Sequence, residues 1–176
     1  MTLYSFLMAA MLMVSAPTED SIQPIDQEHF LIYGFMIEKV YGSDNEANAP
    51  DTRCIVYRDN EIYVAFKSSD KGEYIFNLPL GHEYTLEFGG EDFVNKRVVI
   101  DTKKCKPKKK KGHVVEMDMS LFRPVDGIDY KDLEQPIVRW YYDNYEKAIV
   151  PDLEVLDGMW RTVERLYKKS EKEAIK

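Results

Sequence analysis

The chain has 176 residues, of which 44% are hydrophobic, 31% charged and 12% aromatic. That make-up belongs to a folded domain with a real core rather than to a disordered tail. The length holds one such domain and an appendage, and excludes two full-size domains beside an export signal. A formal net charge of -7 excludes nucleic acid as the main partner, because phosphate binding needs a basic surface.

The first element in chain order is Leu3 to Val14, apolar apart from Tyr4 and Ser5. It has the length of a signal-peptide core and is too short to span a bilayer as a helix. Residues 1-16 are read as a signal peptide with cleavage after Ala16, and residues 17-28 as a polar linker. The expected location is periplasmic or secreted. The chain's two cysteines, Cys54 and Cys105, stand far from any CxxC spacing, so neither a metal cluster nor a redox pair is indicated. One disulfide between them and two separate thiols are equally compatible with the sequence.

Short alternating runs follow. His29 to Tyr41 is the longest, and the polar stretch Gly42 to Pro50 separates it from Thr52 to Arg58. Asp59-Asn60 forms a tight turn into Glu61 to Lys67, where Ile62, Val64 and Phe66 are expected on one face, so the pair reads as a hairpin. Ser68 to Gly72 turns into Glu73 to Leu78, with Tyr74, Phe76 and Leu78 together. In Glu83 to Phe88, Tyr84, Leu86 and Phe88 point inward while Glu83, Thr85 and Glu87 point outward, as one solvated face requires. Lys96 to Asp101 and His113 to Met119 complete the set. Seven strands without a helical period between them predict a mainly β fold: an antiparallel, prealbumin- or Ig-like sandwich.

Past Leu121 the pattern changes. Phe122 to Gln135 is loop-like, and Pro136 to Tyr142 reads as a last strand or an aromatic docking segment. A C-terminal helix is expected at about 152-173, with Leu153, Leu156, Trp160, Val163 and Tyr167 on one stripe. Asp152 at its start and Lys168, Lys169 and Lys172 near its end complement the helix dipole. The domain division is thus a sandwich at 29-122 and an extension at 123-176.

The run from Asp70 to Leu86, Asp-Lys-Gly-Glu-Tyr-Ile-Phe-Asn-Leu-Pro-Leu-Gly-His-Glu-Tyr-Thr-Leu, resembles the central motif of carboxypeptidase-regulatory-like (transthyretin-like) domains, G-x-Y/F-x-F-x-L-P-x-G-x-x-Y-x-L. Gly72, Pro79, Gly81 and Tyr84 occupy its structural positions, and Gly34 resembles the first-strand glycine of that family. The resemblance spans Phe30 to Phe122 and is closest to envelope proteins of Gram-negative bacteria. It implies a module that assists folding, attachment or recognition without catalysis, and it names no ligand.

Seven lysines fall between Lys103 and Lys111. They form either a patch for an anionic surface, with Lys108, Lys109, Lys110 and Lys111 at its heart, or a solvated hairpin tip. The acidic groups Asp44, Glu46, Asp51 and Asp126, Asp129, Asp132, Glu134 lack the spacing of a calcium loop and read as solvated. His29, His82 and His113 stand outside any catalytic motif, so the chain reads as not an enzyme, with no cofactor and no metal. Trp140, Tyr141, Tyr142 and Trp160 are the better contact residues. They serve a helix that either closes the sandwich or docks on another subunit. The first functional expectation is an envelope accessory or scaffold protein contacting another envelope protein. The alternatives are a module binding polysaccharide through exposed rings and, third, a hydrolase.

Overall fold

The computed structural model describes residues 28-107 and 112-176. The expected signal peptide at 1-16, the linker through 27, and Lys108, Lys109, Lys110 and Lys111 lie outside the described residues.

Two sheets face each other. The first is built around β1 (His29–Lys39), with β5 (Glu73–Pro79) and the short β2 (Glu46–Asn48) antiparallel along it, and β8 (His113–Glu116) and β9 (Met119–Leu121) parallel to it. The second runs β11-β10-β7-β6-β3-β4, comprising β3 (Arg53–Arg58), β4 (Glu61–Lys67), β6 (Glu83–Gly89), β7 (Lys96–Asp101), β10 (Pro136–Asp143) and β11 (Ala148–Pro151). Helix α1 (Leu153–Ala174) follows.

The expectation of seven antiparallel strands is corrected here: the described residues form eleven strands, and both sheets are mixed. β10 pairs parallel with β7, as β8 and β9 do with β1. Three additions account for the excess. Glu46–Asn48, inside the expected loop, pairs with the end of β1. The segment beyond Phe122 adds β10 and β11. The run expected as one strand from His113 to Met119 divides into β8 and β9. Both pieces keep one register along β1, and the break between them falls opposite Gly34, where the Met117 carbonyl oxygen lies so close that a Cβ would meet it at 2.1 Å. Tyr74 Oη donates to the same carbonyl, and Asp118 Oδ1 accepts from Phe35 N at 2.9 Å.

The core lies where alternation placed it. Phe30, Ile32 and Met36 of β1 meet Tyr84, Leu86 and Phe88 of β6 and Val98 and Ile100 of β7, all fully buried. In β4 the expected face breaks. Val56 pairs with Val64 but Tyr57 with Ile62, so Tyr63 is an extra residue in a bulge. A bulge shifts the facing by one. Ile62 is therefore turned out at 69% exposure while Phe66 packs on the core. Asp59 and Asn60 both take positive φ (50 and 72), the backbone of the tight hairpin expected there. Gly72 has φ +79 and its absent Cβ would meet the Met36 carbonyl at 2.5 Å, so this turn admits no other residue comfortably.

Candidate functional site

Helix α1 starts directly from β11. Asp152 N donates to the Arg139 carbonyl at 2.7 Å, and the Asp152 side chain caps the helix by accepting from Glu154 N and Val155 N. The far half of the helix is anchored in a second apolar cluster of Val94, Phe122, Leu133 and Leu166. Around it, Tyr130 Oη and Ser170 Oγ lie 2.7 Å apart, Gly42 N donates to Glu171 Oε1 at 3.0 Å, and Arg165 pairs with Asp132 at 2.7 Å. The helix thus covers one end of its own sandwich.

Between those two anchors the fit is incomplete. Two adjoining, half-open cavities of ≈ 270 and ≈ 200 Å³ lie under the helix and share Lys96, Ser120, Trp160 and Val163. Met117, Met119, Ile137, Val138, Trp140 and Leu156 wall the larger one; Phe122 and Tyr167 wall the smaller. Protein interiors are otherwise packed like organic crystals. An apolar cavity carrying few polar groups is the usual form of a ligand site.

The polar group that matters is Lys96. It opens β7 in the same inward register as Val98 and Ile100, and only 3% of it is exposed. Its Nζ donates to the Ser120 carbonyl at 2.6 Å and sits 5.0 Å from the Phe122 ring centroid. No carboxylate pairs with it among the described residues. Burial, with a smaller contribution from the like charge of Lys39, pulls its pKa from the ordinary 10.5 down to about 7. The indole Nε1 of Trp140 is buried without a hydrogen-bond partner among the described residues.

Of the contact residues expected from sequence, the fold brings Trp140 and Trp160 together at the cleft and separates the others. Trp160 is 56% exposed at the edge, with Lys39 Nζ 5.7 Å from its ring. Tyr142 instead packs edge-on against His113 with centroids 5.6 Å apart, and Tyr141 lies on the β11 side beside Val150 and Leu153. Of the structural residues, Gly81 sits in the β5–β6 turn, and the Pro79 carbonyl accepts from Tyr84 Oη at 2.8 Å. His82, one of the histidines outside any catalytic motif, bonds Asp59 across to the next hairpin at 2.7 Å, and that bond, first among the causes, lowers the Asp59 pKa. Cys54 is buried in β3 with its thiol pushed up by desolvation; no disulfide joins it to the half-buried Cys105.

Sequence reasoning missed Lys96, Met117, Met119 and Leu166. A lysine at the inward position of an alternating strand was the available signal for the first. The others needed the path of α1.

No family model and no curated protein matches the chain. Among solved structures it is similar to the Bacillus anthracis TIE protein (TM-score 0.40, 17% identity, covering 54% of this chain and 17% of that one). It is similar also to the minor pilin GBS52 of Streptococcus agalactiae (0.39, 10%, 59% and 49%) and to the 3-chlorocatechol 1,2-dioxygenase of Rhodococcus opacus (0.38, 7%, 55% and 60%). The chain spans less than two thirds of the length of each. Similarity at this level assigns neither family nor activity. Catechol dioxygenases stand among these structures, and the expectation that the chain is not an enzyme, which rested on missing catalytic motifs alone, is withdrawn.

Proposed function

We propose that the chain is an accessory protein of the cell envelope that acts by binding, and that its recognition site is the cleft under α1. The observation that carries this reading is the unfilled apolar space between the helix and the sheets. It is bordered by both tryptophans of the chain and leads to a buried cation. A helix needed only as cover would close on the sheet and leave no such space. Placement in the envelope rests on the apolar run Leu3 to Val14 and on the resemblance of the Gly72 to Leu86 motif to envelope modules.

The two tryptophans make the test direct, since their emission reports on this cleft alone. Titration with 1-octanol, a neutral apolar probe, is expected to shift the emission saturably, and Val163→Phe, which fills the space from the helix side, is expected to abolish the shift. Emission that stays constant through the titration of the unaltered protein sinks the reading.

A further inference from the structure

The cleft has a chemical polarity that narrows its ligand. Met117, Met119, Trp140 and Leu156 wall the larger cavity, and the Lys96 side chain lies where that cavity meets the smaller one. That ammonium has three donors and spends one on the Ser120 carbonyl. A buried cation without a counter-charge is an unfavourable arrangement that a matching anion relieves.

Every other charged group near it falls short of that role. Lys39, at the end of β1, has the same sign and lies over Trp160 and Tyr167. Asp118, just before β9, also lines the larger cavity but makes no ion pair with Lys96, its Oδ1 accepting from Phe35 N. On α1, Glu164 is paired with Lys168 at 2.7 Å. The aromatic neighbours Phe122 and Tyr167 offer rings, and Tyr167 Oη is turned to the Val40 carbonyl and Glu171.

Resting on the reading that the cleft is the recognition site, we propose that its ligand is an amphiphilic monocarboxylate, with an apolar body between α1 and β9–β10 and its carboxylate on Lys96 Nζ. The apolar walls discriminate against sugars and free inorganic anions, which have no surface to bury there. The buried Lys96 ammonium discriminates in favour of one negative head over a neutral one, because the head supplies the counter-charge that Lys96 lacks.

Protonation gives this a signature. With the free amine at about 7, a bound carboxylate stabilises the charged form and raises that value. Affinity is therefore highest where Lys96 already carries its proton, and it falls as pH rises above that point, because each binding event must then recruit one.

The experiment is a tryptophan-emission titration of the purified full chain with octanoate and with 1-octanol, at about pH 6.5 and about pH 8.5. At the lower pH octanoate is expected to bind about tenfold tighter than 1-octanol, and at the higher pH about tenfold weaker than at the lower, while 1-octanol is unchanged. In Lys96→Met the alcohol still binds, and octanoate loses both its advantage and its pH dependence. If that variant does not fold, Lys96→Arg serves in its place: it stays charged throughout, so octanoate keeps its affinity and the fall with pH disappears. Equal, pH-independent binding of acid and alcohol overturns this inference and leaves the cleft as a recognition site. No saturable response to either probe overturns both.

Discussion

The middle of the sandwich and the end under α1 are built from the same alternating strands, yet they solve opposite problems. Between the sheets, Phe30, Leu86 and Phe88 leave no exposed surface, and the tyrosine hydroxyls of Tyr74 and Tyr84 each donate to a backbone carbonyl. Under the helix, the same inward register of β7 that buries Val98 and Ile100 also buries Lys96, and there the packing stops short of closure. A filled interior gives the fold its stability, whereas the incompletely filled end gives up stability and gains a place for another molecule. Removing an interior group should therefore cost much, and removing a cleft group should cost little or nothing while changing recognition.

The largest effect is expected in the interior. Phe88→Ala should lower unfolding free energy by about 4 kcal/mol, read by urea denaturation, since it removes a fully buried ring and leaves a cavity. Gly34→Ala should cost at least about 2 kcal/mol, because its Cβ would overlap the Met117 carbonyl and the β8–β9 step must move.

Next comes the pH dependence contributed by Lys96. The folded state releases this proton near pH 7 while the unfolded chain holds it to about 10.5. Between those values the unfolded state binds more protons, so stability rises with pH. Below the lower value both states are charged and the burial cost is felt in full. Comparing the intact protein with Lys96→Met at pH 7 and pH 9, the intact protein should gain on the variant by on the order of 2 kcal/mol. At pH 7 or below the variant should be at least as stable as its parent, since an unpaired buried ammonium has been replaced by an apolar chain of similar shape.

Smaller effects belong to the helix surface. Trp160→Ala should change stability by less than about 1 kcal/mol, its ring being more than half exposed, but should weaken 1-octanol binding measured through Trp140 emission. Arg165→Ala, which breaks an exposed pair with Asp132, should change the unfolding free energy by no more than about 0.5 kcal/mol, read by urea denaturation.

How much of this was legible beforehand follows the range of the interactions. The strands β1, β3, β5, β6 and β7 were readable because alternation and turn residues such as Asp59, Asn60 and Gly72 are local signals. The parallel pairings of β8, β9 and β10 were not, since parallel neighbours meet through long connections that leave no mark in spacing. Ile62 was assigned to the wrong face because a bulge at Tyr63 cannot be seen in a period-two pattern. In the helix, Leu156, Val163 and Tyr167 were read on the packing stripe and do pack. Leu166 and Ser170, the two buried positions, were missed because the helix is gripped by Tyr130 and Phe122 from a loop whose course had no periodicity. Trp140 and Trp160 were singled out, but their meeting at one cleft depends on β10 joining β7, and Lys96 looked like the polar start of a strand.

The claim on which the rest depends is that Lys96 sits in a dry, unpaired environment under α1. Following its side-chain amine by NMR as pH is varied in the ligand-free protein, with Lys96→Met to assign the resonance, measures this directly. A midpoint near 7 is expected. A midpoint close to the ordinary lysine value of 10.5 would mean that the amine is wet or already paired, and would contradict that claim.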